Sequence, residues 1–528
     1  MHTYKGRNAR EVFYGENCDI GGGWAGCAAA IRARKQGHEV QLLEKTDLLL
    51  GLGNVGGIMR NNGRYTAAEE NIALGADELF EITDRLSTHQ NIDFPGHRHA
   101  SFYDVALVEP EVRRLLTKLG VELHMMTRVV DVELANTAAG APSACVETAG
   151  AERKTRTRRE TKSASAAQQD AELAAAAVPQ EAKATLAVEC SSASAVAQGM
   201  EPAGAARQES SSPRRLRAVV ALTHAHGGEY RREIFDGDVF VETTGSTGPM
   251  GNCTKYGNGC AMCILRCPAF GPRVSLTERA GLCDISGERP NGMPGAFSGS
   301  CKLEKRTLSP KLQKKLNQDG FAVIPLPPEL VHREKLDQKV CQQYALDPFA
   351  ENIILIDTGH AKLMTSYFNL EELRRVDGLE NARFVDPYAG GKGNSMRYMA
   401  VGLRDDTMRA RGIENLFLGG EKSGFFVGHT EAITTGSLAG YNAGRMAAGT
   451  DAEQPLLRLP RTLAVGDIIA FANEMLETPE GFQKRLTFAG GLYFQRMQEQ
   501  KLYSTERRLI QKRVSAAGLA DVYKTNKM

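Results

Sequence analysis

An α/β fold is predicted by three features of the sequence. Residues 12–44 read strand, glycine turn, helix, strand; residues 112–134 read helix, then strand; and the pattern from Ile413 is again a short strand, a glycine-rich loop and a helix. Around these units lie an inserted region of mixed α+β character and a helical C-terminal region. In the first unit, the segment around Cys18, Asp19 and Ile20 leads into Gly21, Gly23 and Gly26. An Ala-rich helical stretch from Trp24 to Gln36 follows, then the apolar strand Val40 to Leu43, which ends at Glu44. This is a βαβ unit of the expected length. Its first strand, VFYGENCDI, carries Glu16, Asn17 and Asp19 where a buried parallel strand prefers Val or Ile, so the turn is better marked than the strand. In the second unit, Gly120 stands at the C-cap of the helix VRRLLTKLG, and the strand VELHMMTRVVDVEL follows.

The remaining boundaries come from shifts in composition. Residues 1–135 form the first part of the nucleotide-binding domain, and 136–213 change abruptly to Ala, Ser, Gln, Glu and Thr. That stretch is expected to be a disordered low-complexity insertion, because it has too little apolar surface to offset its ordering entropy. Lengthening a hairpin loop from about 5 to about 75 residues costs only roughly 2.4 kcal/mol, so a folded host can carry it. Two strands separated by a glycine turn place the second part of the domain at 214–252. Residues 253–381 mix cysteines, prolines and polar helices and are expected to face the substrate; 382–454 close the nucleotide domain and 455–528 are helix-prone.

The chain has 528 residues, 42% hydrophobic and 24% charged, which is a globular composition with room for several domains. Lys and Arg number 65 against 63 Asp and Glu, leaving +2, so no chain-wide field gathers phosphates and nucleic acid is disfavoured as a partner. A small-molecule substrate is expected instead, with an electron-carrier protein and a second copy of the chain as further candidate partners. No apolar run reaches about 18 residues and the start has no hydrophobic leader core, so no membrane partner and a cytoplasmic location are expected. In that compartment most of the 11 cysteines, an odd number, are expected to be reduced.

The glycine turn is where the chemistry begins. Gly-x-Gly-x-x-Gly opens a helix after a strand, and Glu44 stands at the end of the second strand, the Rossmann-like dinucleotide arrangement. Gly21 makes the tight turn, Gly23 lets backbone N–H groups meet a pyrophosphate, and Gly26 lets the helix pack on the sheet; Glu44 accepts hydrogen bonds from ribose hydroxyls. Trp24, Ala25, Lys45 and Val130 are read as further cofactor contacts. The alternative is a structural turn with a solvated glutamate.

Two later segments resemble parts of the two-dinucleotide-fold flavoproteins. Thr243-Thr244-Gly245 resembles their Ala-Thr-Gly strand end, and the stretch from Asn415 to Gly440 resembles the late motif in which a helix N-terminus points at the flavin. This implies FAD as cofactor, with Thr244 and Gly245 at the strand end, Gly420 and Glu421 by the ribityl chain or pyrophosphate, and Gly428, His429 and Glu431 facing the ring. The run ENLFLGGEKSGFFVGHTEAITTGSLAGYNAGR resembles the closing motif of the glucose-inhibited division protein A family, flavoproteins that modify tRNA uridines. Gly271-Pro272-Arg273 resembles a Gly-Pro-Arg of that family's substrate region, but Val274-Ser275-Leu276 stands where the family has Cys-Pro-Ser. The expectation is therefore an FAD-dependent oxidoreductase with Arg273, His429 and Glu431 as its catalytic candidates; a flavin-dependent tRNA uridine-modifying enzyme is the alternative.

Cys253, Cys260, Cys263 and Cys267 lie within fifteen residues, and their tail C-x2-C-x3-C-P resembles the end of the bacterial ferredoxin run, which holds a [4Fe–4S] cluster. Three readings stay open: an iron–sulfur cluster that passes electrons onward, thiols beside the flavin, or zinc. Cys283 or Cys301 would complete the set if one of the four does not ligate. Arg60 and Arg64 are candidates for binding an anion, and His97 and His99 for approaching substrate.

Overall fold

The computed structural model describes residues 12–135, 214–224, 230–245, 270–288, 296–298, 301–338, 342–365, 368–385, 395–397, 400–452 and 455–524. Strand β1 (Val12–Ile20) leads through the glycine turn to helix α1 (Trp24–Lys35) and β2 (Val40–Leu43). After β3 (Ile58–Arg60) come α2 (Gly63–Ala73), α3 (Glu78–Arg85), β4 (Ser87–Phe94), β5 (His97–Tyr103) and α4 (Val105–Leu119). The chain then adds β6 (Glu122–His124) and β7 (Thr127–Ala135), and beyond the 136–213 segment β8 (Arg215–His224) and β9 (Tyr230–Glu242). The predicted low-complexity insertion lies outside the described residues.

The nucleotide-binding sheet has seven strands. Strands β6, β2, β1 and β9 pair in parallel in that order, β9 continues into the antiparallel β8 and β7, and β18 (Leu416–Leu418) pairs in parallel with the end of β9. The polar residues of β1 do not interrupt it: Asn17 and Asp19 are fully buried between paired strands. Neither side chain has a hydrogen-bond partner among the described residues, and burial pushes the Asp19 carboxyl well above its ordinary range. Cys18 and Cys27 are buried as small hydrophobes, as lone cysteines usually are.

The inserted region is built on a second sheet. Strands β10 (Ile285–Ser286) and β11 (Ala296–Ser298) pair with β17 (Ala400–Val401) and β16 (Ser395–Arg397). Between them β12 (Lys302–Leu303), β13 (Phe321–Pro325), β14 (Asn352–Asp357) and β15 (Ala361–Leu363) form an antiparallel sheet in the order β12-β15-β14-β13. Helix α5 (Pro310–Asp319), capped by Ser309 and stopped at Gly320 with φ +80°, covers one face through Leu312 and Leu316. The other face meets β3-β5-β4 through Phe94, Phe102, Tyr344, Phe349, Ile354 and Ile356. His97 is buried in this aromatic cluster, stacked on Phe94 at 4.7 Å, whereas His99, in the same strand, takes φ +56° beside Asn91. Residues two apart on a regular strand share a face, but the pairing of β4 with β5 shifts register between His97 and Ala100, and this bulge sends the two histidines into unlike surroundings.

After β18, helix α6 (His429–Ala447) returns against the sheet, and the helical C-terminal region follows as α7 (Ala464–Met475), α8 (Gly491–Glu499) and α9 (Arg507–Ala516). These pack on α2 and α6 around Phe417, Leu438, Ile468, Tyr493 and Val514. Leu463, at the N-cap of α7, offers no side-chain cap, and Glu70 of α2 supplies one: its Oε2 accepts from the Val465 N–H at 3.0 Å. Glu70 is fully buried, and burial pushes its carboxyl up to about 7 despite Arg513 nearby. The folded chain thus binds a proton that the unfolded chain releases near pH 4.5. That stabilisation is full below pH 4.5 and falls away as the pH rises to about 7, a total of about 3 kcal/mol. Glu70→Gln is expected to gain about that much relative to the parent chain between those two pH values, measured by denaturant unfolding.

Candidate functional site

The turn after β1 is shaped by its glycines and by Thr243. Gly21 takes φ +105°, and its N–H donates to Leu43 O at 2.9 Å. Thr243 Oγ1 donates to Gly21 O at 2.7 Å, holding the turn against the end of β9. A Cβ on Gly26 would lie 1.8 Å from Gly21 O, so α1 approaches the turn as closely as backbone allows. Gly23 is the N-cap of α1 and supplies no side-chain cap, and a Cβ there would meet nothing within 4 Å. The first N–H groups of α1 therefore open onto free space, the arrangement that accepts a phosphate.

That space is a cavity of about 480 Å³. Gly21, Gly23, Trp24, Ala25, Glu44 and Lys45 line it from the first unit; Thr244, Gly245 and Arg273 line it beyond β9; Gly420, Glu421, Gly428 and His429 close it. Gly26 lies behind the turn. Val130 does not line the cavity, whereas Thr127, Arg128 and Val129 do; Val130 falls at a bulge, where the pairing of β7 with β8 shifts register between Val129 and Asp131.

Glu44 is oriented before any ligand arrives. Its Oε1 accepts from Thr46 N and Oγ1 at 2.8 and 2.9 Å, and its Oε2 accepts from Gly22 N at 2.8 Å. A carboxylate oxygen has two lone-pair sites, so Oε2 retains one for a hydroxyl. The indole N–H of Trp24 is buried, lines the same cavity and has no hydrogen-bond partner among the described residues. An orphaned donor, an open helix N-terminus and an oriented acid fit a dinucleotide that carries a diphosphate and a ribose.

Where α6 begins, Gly428 (φ +141°) is the N-cap and leaves that helix end without a side-chain cap. His429 follows, tilted on Trp24 at 5.5 Å and with Nδ1 3.1 Å from the Tyr103 hydroxyl. The hydroxyl also lies 3.3 Å from Gly53 O, which only accepts. The pattern that satisfies the phenol and Gly53 has the phenol donating to Gly53 O and accepting from His429 Nδ1–H. Burial raises the Tyr103 phenol well above its ordinary range and keeps its proton in place.

Other expectations are redistributed. Glu431 does not face the cavity: it is fully buried, pairs with Arg64 Nε at 3.1 Å, and accepts from Thr487 Oγ1 and Phe488 N. One turn into α6, its side chain points to the C-terminal region, since residues two apart on a helix do not share a face. Arg60 is likewise held by Glu69 and Asp84 rather than by a ligand. Arg273 lines the cavity and donates to Thr244 O at 3.0 Å. Cys253, Cys260, Cys263 and Cys267 lie outside the described residues; among the described residues no group of three His, Cys, Asp or Glu side chains converges on a metal site. Cys283 is disulfide-bonded and Cys301 is buried. The cavity also takes residues that carry no motif: Tyr344, Gln343, Lys302 and Lys362 from the inserted region. Among the described residues, no helix is long and apolar enough to cross a membrane.

The comparisons agree with this geometry. The family model described as FAD dependent oxidoreductase matches residues 19–200, and that of glucose inhibited division protein A matches residues 349–451. No curated protein matches the sequence. Among solved structures, Aquifex aeolicus GidA in its form II crystal is 14% identical over 96% of this chain and 76% of that chain, with a TM-score of 0.53, a likeness of fold. The same protein in its form I crystal is 13% identical over 95% and 78%, with a TM-score of 0.49. A 3-ketosteroid-delta4-(5alpha)-dehydrogenase from Rhodococcus jostii RHA1 is 12% identical over 84% and 98%, with a TM-score of 0.36. The chain is an FAD-dependent oxidoreductase, and its segment over residues 349–451 is similar to the glucose inhibited division protein A family.

Proposed function

We propose that the protein exchanges electrons with a small-molecule substrate beside His429 in the cavity. The observation that carries the reading is that two uncapped helix N-termini, at Gly23 and Gly428, open onto one cavity that also holds the oriented Glu44. FAD, when bound, supplies a two-electron carrier. Glu44 holds the ribose, the N–H groups after Gly23 hold the diphosphate, and Thr244, Gly245, Gly420 and Glu421 line its path. The N-terminus of α6 favours negative charge beside it, which raises the potential of a flavin placed there. His429 holds or receives a substrate proton at Nε2 while Tyr103 fixes its orientation, and Arg273 places a positive charge on the wall.

The test is direct. Purified protein is expected to be yellow with stoichiometric FAD, and Glu44→Ala is expected to weaken FAD binding roughly 10- to 150-fold, the loss of one or two hydrogen bonds to a charged group. A colourless protein that refuses FAD and riboflavin on reconstitution overturns the reading. The C-x2-C-x3-C-P run supports a [4Fe–4S] cluster as the outlet for electrons to a carrier protein; iron and acid-labile sulfide in anaerobically purified protein test it, and their absence removes it. A second reading, modification of tRNA uridines, is favoured by the family match over residues 349–451. It predicts copurifying RNA whose binding weakens steeply with salt.

A further inference from the structure

A buried charge cluster stands directly behind the cavity wall. The ammonium of Lys422 donates to Ser275 Oγ at 2.7 Å and to Asp284 Oδ2, and Glu242 Oε1 lies 3.8 Å away. The side chains of Lys422 and Glu242 have no solvent exposure, and that of Asp284 has 1%. Both carboxylates are held by other donors as well. Asp284 accepts from the hydroxyls of Ser275 and Thr277. Glu242 accepts from Leu276 N at 2.9 Å and Thr277 N at 3.3 Å, the first N–H groups of the helical turn Leu276–Arg279. Taking charges out of water is costly, and well-packed apolar side chains of the same volume often hold a core as firmly, so stability is a weak reason for such a cluster. Position is a better one, because an ammonium shared by three side chains fixes where each of them can be.

What the cluster joins is the wall. Ser275 follows the lining residue Val274, Lys422 follows Glu421, and Glu242 leads into Thr244 and Gly245. Thr244 Oγ1 also donates to Glu242 Oε1 at 3.0 Å, which ties a lining residue to the cluster directly. The turn Gly420–Lys422 is three residues long, has no side-chain cap and begins at Gly420 with φ +63°, so little within it fixes its place. Its anchor comes from far along the chain, Ser275 being 147 positions away. We propose that Lys422 is a positioning residue for the cofactor: its buried ammonium locks the strand end at Thr244, the segment at Val274 and the turn at Glu421 into the arrangement that accepts FAD. The ligand's identity rests on the flavin reading above; the locking of the wall rests on the hydrogen bonds. Lys422 acts through its partners and does not itself line the cavity.

Two variants of the full chain separate position from stability. Lys422→Met strands Asp284 and Glu242 without their cation, and both the melting temperature and the FAD affinity are expected to fall. Lys422→Met combined with Asp284→Asn removes one charge of each sign, and the melting temperature is expected to return to within about 3 °C of the parent. FAD binding of this double variant, read by equilibrium dialysis, is expected to stay about tenfold weaker or more, because a wall that holds the competent arrangement a tenth of the time raises the apparent Kd by that factor. Hydrogen exchange reads the wall without any flavin: peptides covering 419–423 are expected to exchange about tenfold faster or more in the double variant, with those of β1 and α1 unchanged. A double variant that regains parental FAD affinity along with its melting temperature shows that Lys422 only balances charge, and overturns the proposal. A parent chain that refuses FAD ends the flavin reading instead, and exchange then decides alone: faster exchange at 419–423 upholds the locking role and parental exchange overturns it.

Discussion

Replacing Arg64 with methionine is expected to destabilise the protein by about 3–5 kcal/mol, the largest single effect of any side-chain truncation considered, because it strands a buried carboxylate. Glu431 has no solvent exposure, and Arg64 contacts both its oxygens from Nε at 3.1 Å. The guanidinium also donates to Val427 O at 2.8 Å and Thr487 Oγ1 at 3.1 Å, so two segments distant in sequence, 427–431 and that of Thr487, lose a common partner at once. Urea unfolding monitored by far-ultraviolet circular dichroism measures the loss. The paired change Arg64→Met with Glu431→Leu is expected to recover much of it, since most of the cost is the unmatched charge rather than the missing attraction. If the double variant is as unstable as the single one, the role assigned to Glu431 as a buried counter-charge is wrong.

The second large effect is expected at Gly436, where α6 crosses α1. A Cβ on Gly436 would lie 2.2 Å from Ala25 O, and one on Gly440 would lie 2.3 Å from Ala29 O, so the two helices touch backbone to backbone along one face. Gly436→Val must push them apart, at a cost of about 3 kcal/mol or more, the upper range for overpacking. Because the N-termini of both helices line the cavity, flavin content is expected to fall with the melting temperature. Gly444→Ala, one further turn along, faces the side chain of Gln36, which can yield, and is expected to change the melting temperature by less than about 2 °C while leaving flavin content intact. Equal losses in the two variants would sink the argument from backbone contact.

Much of the nucleotide half was legible because its chemistry is written in backbone-demanding residues. Gly21, at φ +105°, and Gly26, where a Cβ would lie 1.8 Å from Gly21 O, are glycines for steric reasons, and Glu44 ends the second strand within reach of the turn at Gly22 N, so their spacing is written in the sequence. The helix from His429 was legible by its resemblance to flavoproteins, and Gly428 with it. The same pattern misled at Glu431, which is acidic and next to the motif yet spent on Arg64. Nothing local distinguishes a carboxylate facing a ligand from one facing an arginine 367 positions away. Val130 falls at a bulge of β7, an irregularity of pairing that no spacing in the sequence marks. Lys302 and Lys362 were invisible because their place beside the cavity follows from a strand register between segments 60 positions apart, set by Leu303 and Leu363 packing below them. Asn17 and Asp19 argued against a buried strand and were overruled by pairing on both sides, with β2 and with β9.

The pairing of β1 with β9, of β9 with β18, and of α1 with α6 also governs when this protein can become itself. The opening fifty residues contain the phosphate-binding turn, yet the surfaces that bury them are made from residues near 240 and from 416 onward, and Arg32 reaches as far as Tyr523 O. During synthesis the emerging amino-terminal segment must therefore wait for nearly the entire polypeptide, its Ala-rich helix uncovered, before docking partners exist. Such long-range closure makes assembly slow and leaves the unfinished chain exposed to self-association, which is the state that chaperones would encounter.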